Sequence, residues 1–218
     1  GTAYVLFHHV MGECNGVRGV WGYVRGGMGG ITTALAAAAR EHGADIRLES
    51  PVARILVRDS RVRGVVLDDG TEFHANQVAS NADPAVTFLK LMTAGDLPAE
   101  FVRRVEQIDY SSASLKINLA LSELPDFTAL PGRAAGPQHR GTIHISPSLE
   151  YMELAYDDSK YGRPSASPIL ECTIPSVVDP TVAPPGRHLM SMFIQYAPYA
   201  LREGTWDDIK DGFADRCV

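Results

Sequence analysis

The sequence predicts a mixed α/β protein, and three observations predict it. Four glycines fall within Gly26-Gly27-Met28-Gly29-Gly30, directly ahead of an alanine-rich run at residues 31–39. Between residues 44 and 74, short runs alternate apolar and polar residues and are joined by hairpin-type turns. In the second half, apolar runs at 114–121, 142–145, 169–174 and 188–196 alternate with helical segments.

Taken in chain order, residues 30–42 read as a helix. Thr32 and Thr33 sit in its first turn, four consecutive alanines (36–39) give high helix propensity, and Gly43 is a natural stop. The alternation of Ile46 and Leu48 with Asp45, Arg47 and Glu49 predicts a strand at 44–49. Strands at 52–57 and 62–67 are joined by Asp59-Ser60, and Asp69-Gly70 turns the chain into 71–74, which completes a small antiparallel meander. Residues 78–84 read as a short buried strand that ends in a polar loop. Helices follow at 85–91 and 98–108, the second with Phe101, Val105 and Ile108 on one face. Residues 114–121 alternate strictly, and 125–137 form a loop without periodicity. A strand at 142–145, a helix at 149–160 entered from Pro147-Ser148, and central strands at 169–174 and 188–196 make a mixed sheet with helices on one side. The last helix starts at Thr205, with Asp208 three residues on as a capping box, and places Trp206, Ile209, Phe213 and Val218 near one face.

Composition narrows the function. The 218 residues carry a net charge of −6, which argues against nucleic acid as the main partner. Arg54, Arg58, Arg61 and Arg63 alternate with apolar residues and suit the wet face of a hairpin. No apolar run reaches the roughly 20 residues of a membrane span, and no basic amphipathic helix stands out, although peripheral membrane contact would suit an apolar substrate. The three cysteines are far apart and fit reduced thiols in a cytoplasmic compartment, or a mitochondrial matrix in a eukaryote. His8 and His9, read on a strand, face opposite ways, so no metal site is expected with Cys14. Asp157-Asp158 and Asp207-Asp208 read as solvated helix charges. Neither a nucleophile elbow nor a G-x-G-x-x-G fingerprint is present. Both ends read as cut from a longer protein.

The glycine cluster stays open between two readings on the residues alone. Glycine permits positive φ and close backbone approach, and a helix N-terminus presents free N–H groups. The cluster is therefore a tight turn feeding a packed helix, or a cradle for a phosphate-bearing or flat, electron-rich cofactor.

Tyr23-x-x-Gly26-Gly27-Met28-Gly29, the alanine-rich helix, Gly43-Ala44, Val52-x-x-Ile55, Gly64-Val65, Asp69-Gly70 and Val78-x-Ser80-Asn81-Ala82-Asp83-Pro84 follow in that order. The ordered set resembles the phytoene desaturase-like branch of the FAD-dependent oxidoreductases, related to the flavin amine oxidases. For one member of that branch the likeness extends through residues 6–13, 86–91, 116–118, 179–186 and 195–199. The resemblance implies a partial FAD-binding α/β domain with a β-meander, interleaved with a mixed-sheet substrate domain. Residues 1–22 and 84–218 would belong to the substrate domain and 23–83 to the FAD domain. It places Gly26, Gly27, Met28 and Gly29 beside the flavin, the backbone of Val52 at the adenine end, and Ser80, Asn81 and Ala82 near the ribose and diphosphate.

The implied chemistry is hydride transfer from an apolar small molecule to FAD, with no side-chain base assigned. Met192, Phe193 and Tyr196 are the candidate substrate-lining residues, with core packing as their ordinary alternative. The branch's N-terminal dinucleotide fingerprint and C-terminal glycine-rich motif do not occur in these 218 residues. This polypeptide alone is therefore expected to bind FAD weakly or not at all and to be inactive. The alternatives are a non-catalytic flavin-associated interaction or assembly protein, and a flavin-dependent isomerase.

Overall fold

Strict alternation at residues 114–121 becomes a strand with every second side chain turned inward, and the second half of the chain is built around it. The computed structural model describes residues 2–20 and 22–218. Trp21, at the start of the glycine run, lies outside the described residues, as does the side chain of His8. In chain order the elements are α1 (Thr2–Met11), β1 (Glu13–Cys14), β2 (Val17–Arg18), α2 (Gly29–Glu41), β3 (Val52–Arg58), β4 (Arg61–Leu67), β5 (Glu72–His74) and α3 (Ala99–Glu106). They continue as β6 (Ser114–Leu121), β7 (Thr142–Ile145), α4 (Leu149–Lys160), β8 (Ile169–Thr173), α5 (Pro175–Val178), β9 (His188–Gln195) and α6 (Trp206–Cys217). The mixed α/β class is as predicted. The chain divides into two compact units, residues 1–39 with 111–218, and residues 40–110.

In the first unit, four strands pair in the order β6-β9-β8-β7. The register aligns Ile117 with Met192, Met192 with Cys172, and Cys172 with Ile143, so one face is apolar from edge to edge. Helix α6 contributes Phe213 and Cys217 to the cluster over this face, where Ile194 is fully buried. The expected capping box of α6 is present: the Thr205 N–H and hydroxyl both donate to Asp208 Oδ2, at 3.1 and 2.6 Å. The inward face is narrower than expected, because Cys217 is buried while Val218 is exposed.

Every pairing in this sheet is antiparallel, whereas a sheet of mixed direction was expected. A helix between two strands is the usual means of a parallel crossover. Here the segment 161–168, at roughly 3.3 Å per residue, is long enough to cancel the advance of α4, about 18 Å. The chain therefore re-enters at the end of the sheet it left.

In the second unit, β3-β4-β5 form the predicted meander. Asp59 and Ser60 have φ of +52° and +57°, a mirror-image turn that matches strand twist. Ile55 is buried, and its N–H donates to the Leu91 carbonyl at 2.8 Å. Val105 of α3 is buried too, and Phe101 meets Phe88 edge-on at 4.9 Å between centroids. Residues 85–91, expected as an ordinary helix, form a wide turn over Val86–Lys90.

Three further expectations are corrected. Residues 44–49 are not a strand: no strand pairs with them among the described residues, Leu48 is 80% exposed and Glu49 has φ +52°. A period-two pattern makes a strand only where a neighbour supplies the hydrogen-bond ladder. Residues 78–83 are loop for the same reason, exposed apart from the half-buried Val78, and Pro84 already begins the following helical turn. The His8-His9 segment is helical rather than extended.

Candidate functional site

The glycine cluster forms a turn that opens α2, and two different constraints account for three of its four glycines. Gly26 and Gly27 have φ of +82° and +97°, which other residues rarely adopt. Gly30 packs on Val24, whose Cγ1 would stand 2.9 Å from a Cβ at that position. Gly29 has neither constraint: its φ is not positive, and a Cβ there would meet nothing within 4 Å. The turn is closed locally by hydrogen bonds from the Gly27 N–H to the Val24 carbonyl (2.9 Å) and from the Gly30 N–H to the Gly27 carbonyl (3.0 Å). Met28, between them, is 63% exposed.

A residue not singled out from sequence completes this site. The carboxylate of Asp179 accepts the Gly26 N–H at 2.6 Å, across 153 residues of chain. Its other oxygen accepts the Thr181 N–H (3.0 Å) and the Thr181 hydroxyl (2.6 Å). Asp179 is buried. The Thr181 hydroxyl first, then the N–H groups of Gly26 and Thr181, hold its carboxyl below the usual carboxylate range. The run Asp179-Pro180-Thr181 is a sequence signal for a side-chain-capped turn, and it caps the short helical turn Pro180–Val182. Nothing in that signal points to a partner at Gly26.

The other predicted cofactor residues lie in the second unit. Val52 begins β3 and pairs with Leu67. Ser80 Oγ and Thr87 Oγ1 share a hydrogen bond of 2.8 Å, and the Thr87 hydroxyl also reaches the Ala82 carbonyl at 3.3 Å. Asp83 accepts the Val86 N–H at 3.0 Å. The loop is thus tied at both ends, while Asn81 is exposed between them.

The three candidate substrate-lining residues face different surroundings. Met192 lines a cavity of about 390 Å³ over the apolar sheet face, with Met190, Cys172, Cys217 and Phe127. The rim carries Arg133, paired to Glu123 at 2.5 Å. Burial pushes the Cys172 thiol up to about 11, so this wall is uncharged at neutral pH. Phe193 points to the opposite face, 41% exposed, because neighbours in a strand alternate. Its cross-strand partners are Lys116 and Glu171, and Glu171 in turn pairs with His144. Ser191 donates to Asn118 Oδ1 at 3.0 Å in the adjoining row. Tyr196, past the end of β9, lies against Tyr156 with centroids 5.1 Å apart. Sequence alone could not pair Lys116 with Phe193, since that requires the strand order.

Among the described residues no three His, Cys, Asp or Glu side chains form a metal-binding group. No helix there is long and apolar enough to cross a membrane.

These elements make a mixed α/β fold that recurs in a solved structure. The chain superposes on the crystal structure of an oxidoreductase from Methanosarcina mazei with a TM-score of 0.57 and 24% identity, covering 88% of this chain and 36% of that one. Residues 2–203 match the model for "Flavin containing amine oxidoreductase", and the chain belongs to that family. It is 45% identical to pyridine nucleotide-disulfide oxidoreductase domain-containing protein 2 of Rattus norvegicus, over 99% of this chain and 38% of that protein. It is 29% identical to the lycopene-forming phytoene desaturase of Pseudescherichia vulneris, over 85% of this chain and 34% of the desaturase. The chain thus spans well under half the length of these relatives.

Proposed function

We propose that the protein containing this chain is an FAD-dependent oxidoreductase that takes a hydride from a carbon of an apolar small molecule. The observation that carries this reading is Gly29. Neither backbone conformation nor packing within the chain asks for glycine there, and it is the first residue of a 13-residue helix. Open space above a glycine at a helix N-terminus fits a flat or phosphate-bearing group approaching the backbone. Membership of a flavin family and likeness to a lycopene-forming desaturase support FAD and an apolar substrate.

Bound FAD supplies the hydride acceptor. The chain's own residues bind and orient. Gly26, Gly27, Met28 and Gly29 form the flavin-side wall, with backbone N–H groups at the start of α2. Val52 offers backbone at the adenine end, and Ser80, Asn81 and Ala82 form the loop toward the ribose and diphosphate. In this reading residues 23–83 belong to the FAD domain and residues 1–22 and 84–218 to the substrate domain. Met192 would serve an apolar pocket and Phe193 the opposite sheet face. This polypeptide on its own is expected to hold FAD weakly and to be inactive.

The test is Gly29→Ala in the full-length protein. Melting of the flavin-free form should stay within about 2 °C, since alanine is a better helix residue than glycine. The dissociation constant for FAD should rise at least about tenfold, equivalent to about 1.4 kcal/mol. Unchanged FAD affinity would remove Gly29 from the site. A protein that holds FAD but never shows anaerobic bleaching with apolar polyenes would favour a non-catalytic role.

A further inference from the structure

We propose that Asp179 is a positioning residue: through its hydrogen bond to the Gly26 N–H it holds the glycine turn in the shape that meets the cofactor. The functional part rests on the flavin reading above; the mechanical part does not.

Two consecutive glycines in the left-handed region have little preference of their own, because glycine visits both signs of φ about equally. The closing bonds at Gly27 and Gly30 reach only three residues and move with the turn. The Asp179 carboxylate is different in kind. It is 8% exposed and anchored from its own side: one oxygen is occupied by the Thr181 N–H and hydroxyl, and the Asp179 N–H donates to the Pro175 carbonyl at 2.8 Å. The second oxygen is thereby aimed at Gly26, and the 2.6 Å contact is a charge-assisted bond of the stronger class. It fixes the plane of the Arg25–Gly26 peptide, and so the rotation from which Gly27, Met28 and the first turn of α2 follow. Val182, two residues beyond Pro180, lies beside Gly27 on the same loop: its Cγ1 would stand 3.9 Å from a Cβ there. No Lys or Arg forms an ion pair with Asp179 among the described residues; its hydrogen bonds come from the neutral donors of Gly26 and Thr181, and the Arg25 charge adds only a smaller, longer-range attraction.

Asp179→Asn is the informative change. An amide has one acceptor oxygen, so it serves either Thr181 or Gly26 and turns an N–H₂ toward the other. In the full-length protein, amide hydrogen exchange of residues 23–30 should accelerate at least about tenfold, with residues 114–121 and 169–173 unchanged. FAD affinity should fall about tenfold, with a shifted visible flavin spectrum, which a remote packing defect would not produce. Unchanged exchange at 23–30 overturns the proposal. Accelerated exchange with unchanged affinity and spectrum leaves Asp179 holding the turn and instead removes the turn from the flavin site. If Asp179→Asn does not fold, Thr181→Val decides the matter. It removes the 2.6 Å hydroxyl bond but keeps the N–H of residue 181 on the same oxygen, so the carboxylate is held less firmly; exchange at 23–30 should rise severalfold, and no change there overturns the proposal.

Discussion

Replacing Gly64 with alanine should detach β5 from the meander. Gly64 has φ +142°, a region open essentially to glycine alone, and a Cβ there would lie 1.9 Å from the Phe73 carbonyl oxygen and 2.9 Å from the His74 Cα. Both obstacles are backbone, so no side-chain rotation relieves them. Backbone strain of this kind costs about 1–3 kcal/mol, and overpacking typically adds about 1–3 kcal/mol. Relief by separation sacrifices the pairing of Gly64 with His74 and the 2.9 Å bond from the Ala75 N–H to the Arg63 carbonyl. The unit from residue 40 to 110 has about 70 residues, and at roughly 0.05–0.15 kcal/mol per residue its stability is about 4–10 kcal/mol. The substitution therefore removes about half of it. Gly70→Ala is the control: φ is +84° but nothing lies within 4 Å, so the cost is the left-handed strain alone, about 1–2 kcal/mol. Hydrogen exchange of residues 61–75, followed along a urea series, reads both. Equal protection in the two variants, or an undisturbed β5 in Gly64→Ala, would refute the steric reasoning.

Two other expectations concern the first unit. Ile194→Ala removes a fully buried side chain from the sheet core and should cost about 2–5 kcal/mol. Phe193→Ala, one residue away on the exposed face, should cost well under half of that, as judged by the shift in denaturation midpoint at constant m-value. Cys172 sets an alkaline limit. Burial first, then the charges of Cys217 and Glu171, raise its thiol from 9.0 to about 11, so between these values the folded chain keeps a proton the unfolded chain has lost. The resulting stability is complete below pH 9 and is lost as pH rises through about 11, amounting to about 2–3 kcal/mol. Cys172→Val should flatten this part of the stability profile, as measured by urea unfolding from pH 8 to 11.

Elements with their own internal logic were legible in the sequence. The 114–121 alternation, the Ser148 cap of α4, whose Oγ accepts the Tyr151 N–H, and the Thr205–Asp208 box are local signals, and local sequence specifies them. Asp59-Ser60 carries the meander because turn type follows from two residues. Residues 44–49 and 78–84 failed because a strand is a property of a pair, and no pairing strand for either exists among the described residues. Strand direction failed for a related reason: direction depends on where a connection ends, and residue pattern does not encode that. The site divides the same way. A glycine cluster ahead of an alanine-rich helix is visible in one dimension, and so is the turn at Asp179. Their contact, the separation of Met192 from Phe193, and the open space at Gly29 appear only in three dimensions.

The Gly26–Asp179 contact also sets an order in time. A chain emerging from the ribosome at roughly 5–20 residues per second completes Gly26 long before its partner. Their separation of 153 positions amounts to a delay of about 8–30 s at that pace. Through that interval the α2 helix can form from its own residues, while the turn at its head lacks the carboxylate that fixes it. Maturation of this corner therefore waits on the synthesis of the second half of the chain, and a nascent chain stalled before residue 179 would carry the glycines without their anchor.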